Sequence, residues 1–241
     1  MSVLKTDALT KRFGGVVALD QVTLNVDERE ILGVIGPNGS GKTTLFNVIS
    51  GFYSSSSGRV IFGETDITGW PAHRISKLGI ARTFQSTRPF LNLTVKENVI
   101  MGALGVCREV EKAADIAEKV LIETDLQAKA DRLGRDISIQ DRKRLEVAKA
   151  LSTSPKILLL DEPMAGLTEE EIREFVDLVR KVREQSVTIM LIEHIVKAVQ
   201  ELADRVIVLD YGRKISEGTP DEVVKNADVL KAYLGEDTAQ P

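Results

Sequence analysis

Apolar residues fall along this chain in distinct rhythms. Apolar runs at Ile31-Leu32-Gly33-Val34-Ile35, Ile157-Leu158-Leu159-Leu160 and Val187-Thr188-Ile189-Met190-Leu191-Ile192 are short and rich in branched side chains. Such runs predict buried strands. Val22-Thr23-Leu24-Asn25-Val26 alternates instead, as an antiparallel strand with one wet face does. Arg59-Val60-Ile61-Phe62 resumes strand character after the turn at Ser54 to Gly58, and Gly79 to Gln85 reads as extended chain running on into Ser86-Thr87-Arg88-Pro89. Helical spacing governs three longer stretches: Val110, Ala113, Ile116, Ala117, Val120 and Leu121; Leu145, Ala148 and Leu151; and Ile172, Phe175, Val176, Val179 and Val182.

The ends of these elements carry their own chemistry. Thr94 with Glu97, Ser138 with Asp141, and Thr168 with Glu171 have the spacing of a capping box, which opens a helix by satisfying its first N–H groups. Thr219-Pro220 opens a short helix, and another over about Ala227 to Leu234 stops at Gly235. Arg142-Lys143-Arg144 reads as a solvated helix face, and Glu236 to Pro241 as a frayed tail. Arg205 to Leu209 and Lys214 to Gly218 read as a hairpin near the end of the sheet.

Between the first apolar run and a helix over Thr44 to Ser50 lies Gly36-Pro37-Asn38-Gly39-Ser40-Gly41-Lys42-Thr43-Thr44, which fits the phosphate-loop pattern G-x-x-x-x-G-K-[ST]. Glycines let the backbone turn tightly and aim its N–H groups inward, and the start of the helix adds unpaired donors and positive dipole. Lys42 would reach the β/γ-phosphates of a nucleotide, and the Thr43 hydroxyl would take a Mg²⁺ position.

Ile157 to Leu160 ends in Asp161-Glu162. Adjacent acids at the end of a buried strand are costly unless they hold a cation or move a proton. Asp161 is therefore assigned to the Mg²⁺ shell and Glu162 to polarising the attacking water. Three positions stay open on local grounds. Phe13, beside Gly14-Gly15, is either a core side chain or a platform for a purine; strand-end Gln85 is either solvated or a partner of metal-bound water; His194 is either structural or a phosphate-site residue. His73 sits in a polar, arginine-flanked stretch and reads as surface.

Charge narrows the function classes. With 32 basic and 36 acidic residues the net charge is −4, which disfavours a nucleic-acid binder. A single cysteine, Cys107, excludes an internal disulfide. The N-terminal residues lack the apolar stretch of a signal peptide, and no apolar run approaches the roughly 18 residues of a membrane span. The expectation is a cytoplasmic protein that does not cross a bilayer.

Taken in order, the phosphate loop, Gln85, Ser138, the strand ending at Glu162, and His194 resemble the nucleotide-binding subunit of ATP-binding cassette transporters over nearly the full length. Lys11-Arg12-Phe13-Gly14-Gly15, Phe46 to Phe52, Ala81-Arg82-Thr83-Phe84-Gln85, Leu93 to Val99, Ala203-Asp204-Arg205 and Glu217-Gly218-Thr219-Pro220 are similar to the branched-chain amino-acid importers in particular. The resemblance implies an α/β fold: a P-loop NTPase core with a mixed sheet and flanking helices, an N-terminal antiparallel β subdomain and an inserted α-helical subdomain. As one cassette domain, residues 1–89 and 152–218 would form the core, 90–151 the helical part, and 219–241 the C-terminal helices and tail. It further implies ATP and Mg²⁺ as cofactors. Phe13 would stack on adenine, residues 36–44 and Ser138 would bind nucleotide, and Thr43, Gln85 and Asp161 would serve the metal. Lys42, Gln85, Glu162 and His194 would act in hydrolysis. Partners would be a second cassette subunit and transmembrane permeases docking near residues 85–105, on the inner face of the cell membrane.

One departure stands out. Where the family has Leu-Ser-Gly-Gly-Gln, this chain has Ile137-Ser138-Ile139-Gln140-Asp141, and Pro163 to Thr168 lacks the aspartate usual at its end. In the family, ATP lies between one subunit's phosphate loop and the other's signature segment, so this chain supplies one intact half and one altered half. A heterodimer with an intact-signature partner is the expectation. Competing readings are a soluble cassette ATPase outside transport, for which no tandem cassette or basic surface is visible, and a nucleotide-gated clamp with little hydrolysis.

Overall fold

The computed structural model describes residues 2–85 and 88–234, in two compact units: the first takes the chain up to Ile75 and resumes at Thr188, and the second runs Ser76–Val187. The first unit begins with β1 (Ser2–Phe13) and β2 (Val16–Asp27), an antiparallel pair. In β2, Val22, Leu24 and Val26 are buried and Thr23 is exposed, as the alternation requires. β1 carries no such signal because its register slips between Thr6 and Leu9, where Ala8 has φ 45°, so Leu9 and Thr10 are buried in succession. β3 (Ile31–Ile35) is buried at every position, and α1 (Lys42–Ile49) starts two residues before the helix expected at Thr44. β4 (Ser57–Phe62) and β5 (Thr65–Asp66) complete a sheet of order β2-β1-β4-β5. The boundary between units falls inside α2 (Ala72–Leu78).

The second unit is mainly helical around a parallel strand pair. β6 (Ile80–Arg82) is followed by α3 (Val95–Ala103), α4 (Val110–Glu123), a 3₁₀ turn at Gln127–Lys129, and α5 (Ile139–Leu151). β7 (Ile157–Asp161) pairs with β6, Ile80 opposite Ile157 and Arg82 opposite Leu159, and α6 (Glu169–Glu184) follows. Thr94 and Thr168 close full capping boxes. The apolar stripe of α6 turns Phe175, Val176, Val179 and Val182 inward; full burial of Phe175 alone contributes roughly 1.5–3 kcal/mol. Ser86 and Thr87, where the extended segment after Gly79 was expected to continue, lie outside the described residues, as does the expected tail Glu236 to Pro241.

One surface expectation is overturned here. Lys143 and Arg144 are buried and Arg142 is half-buried. Their cationic ends all find acceptors: Arg142 on the Arg135 carbonyl at 2.7 Å, Lys143 on the Glu162 carbonyl at 3.3 Å, and Arg144 on Asp125 and Glu174 at 3.3 and 2.6 Å. Long aliphatic stems cover apolar surface while the charge reaches a partner, so a basic run need not mark a wet face.

The chain re-enters the first unit through β8 (Thr188–Ile192), α7 (Val196–Leu202), β9 (Arg205–Asp210), β10 (Arg213–Gly218), α8 (Pro220–Val223) and α9 (Ala227–Leu234). β3 lies between β8 and β9, parallel to both, with Val34 opposite Ile192 and Ile207. β10 pairs antiparallel with β9, the hairpin read from sequence. No helix among the described residues is long and apolar enough to cross a membrane.

Candidate functional site

The first unit carries a cradle at the end of β3. A Cβ on Gly36 (φ 146°) would lie 2.0 Å from the Leu209 carbonyl oxygen, and one on Gly41 (φ 105°) 2.5 Å from that of Ala18. Neither position has room for a side chain. Gly41 caps α1 without any side-chain acceptor, and the first turn of that helix holds no acid. Lys42 is buried with its ammonium folded onto the loop, donating to the carbonyls of Gly36 at 2.8 Å and Pro37 at 2.9 Å. The buried Ser40 hydroxyl makes no hydrogen bond to a described residue. An uncapped helix start, an orphaned hydroxyl and a positive charge on one tight loop suit a polyphosphate. Asn38, Gly39 and Thr43 are exposed, Pro37 and Thr44 half-buried. Pro37 to Ser40 face a cavity of about 740 Å³ shared with Asp210, Tyr211 and Lys231; Lys231, on α9, was not singled out by sequence because helix-surface lysines are common.

Phe13 is 43% exposed at the end of β1, so it is not a core side chain. The Tyr53 ring meets it edge-on, centroids 5.2 Å apart at 79°. Lys11 places its ammonium 4.8 Å from the Phe13 centroid and anchors it on the Ser54 carbonyl at 2.7 Å. Two rings and a cation form an exposed aromatic platform. If it stacks a base, Phe13→Ala raises the Kd for ATP by about 5- to 150-fold, the 1–3 kcal/mol of one base–aromatic stack, and leaves tripolyphosphate binding unchanged. Isothermal titration with both ligands checks this; equal losses for both would remove Phe13 from base recognition.

The acids sit in the second unit. Asp161 ends β7 and Glu162 follows it, and Arg82 at the end of β6 with residues just after that strand holds both. Arg82 donates to Asp161 Oδ2 at 2.8 Å, the Asp161 N–H donates to Thr83 Oγ1 at 3.4 Å, and Gln85 Nε2 donates to Glu162 Oε2 at 2.6 Å. Glu162 has φ 48°, a left-handed conformation that costs a non-glycine residue on the order of 1 kcal/mol or more and is found at functional positions. Of the sequence-predicted residues, Gln85 and Glu162 touch; Arg82 was not anticipated, since nothing local distinguishes a strand-end arginine from a solvated one.

His194 lies two residues past β8 in the first unit and is exposed, its backbone N–H donating to Glu193 Oε2 at 3.1 Å. It lines an apolar cavity of about 240 Å³ with Ile35, Val199, Val223 and Tyr233. Burial pushes the Tyr233 phenol up, against a lowering hydrogen bond from the Gly36 backbone. His73 is exposed, as read.

Ser138 is the N-cap of α5, accepting from the Asp141 N–H at 3.1 Å. The return bond runs from the Ser138 hydroxyl to Asp141 Oδ2 at 2.8 Å, so this is a cap of different wiring from the expected box. Asp141 also takes an ion pair from Lys129 at 2.6 Å. Burial pushes the Asp141 carboxyl up, but the Lys129 and Ser138 bonds outweigh it and hold it below the ordinary range. Gln140 is tied to Glu174 Oε2 at 2.6 Å, while Ile139 is 63% exposed.

Comparison with known proteins gives a consistent picture. The family model described as ABC transporter matches residues 19–165, and one described as branched-chain amino acid ATP-binding cassette transporter matches residues 213–239. The high-affinity branched-chain amino acid transport ATP-binding proteins LivG of Salmonella typhimurium and BraF of Pseudomonas aeruginosa are 39% and 37% identical, each over 97% of this chain and 98% of its own length. The crystal structure of the ADP conformation of MJ1267, an ATP-binding cassette of an ABC transporter, superposes with TM-score 0.89 at 32% identity, covering 98% of this chain and 100% of that one.

Proposed function

The chain belongs to the ABC transporter family of ATP-binding cassettes, and from that premise we propose that it is the ATP-hydrolysing subunit of an importer for branched-chain or related amino acids. The observation that carries the enzymatic reading is the phosphate cradle, whose Gly36 and Gly41 leave no room for side chains while Lys42 and the Ser40 hydroxyl stay inside it. The solute class follows from what LivG and BraF are named for.

Roles are assigned residue by residue. Residues 36–44 wrap the phosphates with backbone N–H groups, and Lys42 exchanges the Gly36 and Pro37 carbonyls for phosphate oxygens. Phe13, braced by Tyr53, takes the adenine. Thr43, Gln85 and Asp161 would hold Mg²⁺, which when bound would neutralise charge on the phosphates. Glu162 takes a proton from the attacking water and His194 contacts the γ-phosphate. Helix α5, opened by Ser138, faces the nucleotide of a second cassette subunit, and residues 85–105 meet the permease.

The altered signature favours an unequal pair. Ser138 Oγ is committed to Asp141, and an acid stands in the first turn of α5 where a partner's phosphate would approach. Expected, therefore, is negligible ATP turnover by the purified chain at any concentration, and turnover on adding a cassette with an intact Leu-Ser-Gly-Gly-Gln segment. Turnover per molecule that rises with the chain's own concentration would instead establish a working homodimer.

A further inference from the structure

The end of β6 and the segment just after it deliver three residues to the two acids. Arg82 and Asp161 are 5% and 3% exposed at their side chains, joined at 2.8 Å. Thr83 donates its N–H to the Leu159 carbonyl at 2.9 Å and receives the Asp161 N–H, and Gln85 holds Glu162. The Arg82 guanidinium carbon lies 5.1 Å from the Phe84 ring centroid, which confines its plane from a second side. A buried carboxylate with this partner is oriented as well as neutralised, since a guanidinium fork fixes direction where an ammonium does not.

We infer that Arg82 is a positioning residue for hydrolysis: by orienting Asp161 it sets the affinity for Mg²⁺, and it ties Asp161 to the same short segment through which Gln85 holds Glu162. A displacement of residues 82–85 then reaches both acids together. The inference rests on the cassette reading, in which Asp161 serves the metal. Outer partners of metal-site ligands commonly tune metal affinity by 10- to 100-fold.

The test uses Mn²⁺ as a spectroscopic stand-in for Mg²⁺. Electron paramagnetic resonance titrations of the full chain with ATP are made for wild type, Arg82→Lys, Asp161→Asn, and the Arg82→Gln/Asp161→Asn double variant. Arg82→Lys keeps the charge and therefore the fold; the double variant removes both charges, avoiding a stranded buried carboxylate. Mn²⁺ affinity in Arg82→Lys is expected to fall about 10-fold or more, with ATP binding in EDTA unchanged. Asp161→Asn and the double variant are expected to bind Mn²⁺ equally, because Arg82 acts only through Asp161. Unchanged Mn²⁺ affinity in Arg82→Lys, or a further loss in the double variant, overturns the inference while leaving the cassette reading intact. A wild-type chain that binds no ATP overturns both.

Discussion

Glu162→Gln, assayed with an intact-signature partner, abolishes ATP turnover by a factor of about 10² to 10⁴, the range for removing a general base, while ATP binding persists. The substitution keeps the shape of the side chain and the left-handed backbone at this position. It also keeps an acceptor oxygen for Gln85, which sits 2.6 Å away in the native chain. Only the capacity to take a proton from water is lost. The informative readout is the split between the two measurements: single-turnover hydrolysis by rapid quench falls, and ATP-dependent association on size exclusion remains or strengthens. Residual turnover near the wild-type rate would remove Glu162 from the chemistry and leave its strained φ without a functional account.

Lys42→Ala acts earlier, on binding. Its ammonium is buried and holds the Gly36 and Pro37 carbonyls at 2.8 and 2.9 Å, so it stands where incoming phosphate oxygens would replace them. A hydrogen bond to a charged group is worth about 1.5–3 kcal/mol, so its loss weakens binding by about 10- to 150-fold. Both ATP and tripolyphosphate should lose affinity together, in contrast to Phe13→Ala, which affects only the nucleotide. The fold survives, because α1 is anchored by buried Leu45, Phe46 and Ile49 rather than by the lysine. A Lys42→Ala chain that binds ATP normally would show that the cradle holds its ligand by backbone alone.

The residues of the proposed phosphate loop are contiguous: Gly36 to Thr44 could be singled out from sequence because each requirement of the pattern is met within nine positions of one another. The buried strands read correctly for a similar reason, since continuous burial of β3, β7 and β8 leaves continuous apolar runs. β1 did not, because its slipped register at Ala8 breaks the period that would announce it. Local spacing also predicted the cap at Ser138 but not its wiring, which depends on where Asp141 turns once Lys129 is beside it.

By itself the sequence determined where a glycine-rich loop with a phosphate-binding pattern lies, where a pair of acids follows a buried strand, and where the helices capped by Thr94, Ser138 and Thr168 begin, because these depend on neighbours along the chain. Tertiary structure alone decided that Phe13 is exposed beside Tyr53, that Lys143 and Arg144 are buried, and that Arg82 meets Asp161, 79 positions away. Those outcomes turn on strand register and on which distant acceptor lies within reach of a long side chain. A charged residue has the same local signature whether water or a buried carboxylate receives it, and only the packed chain supplies the second.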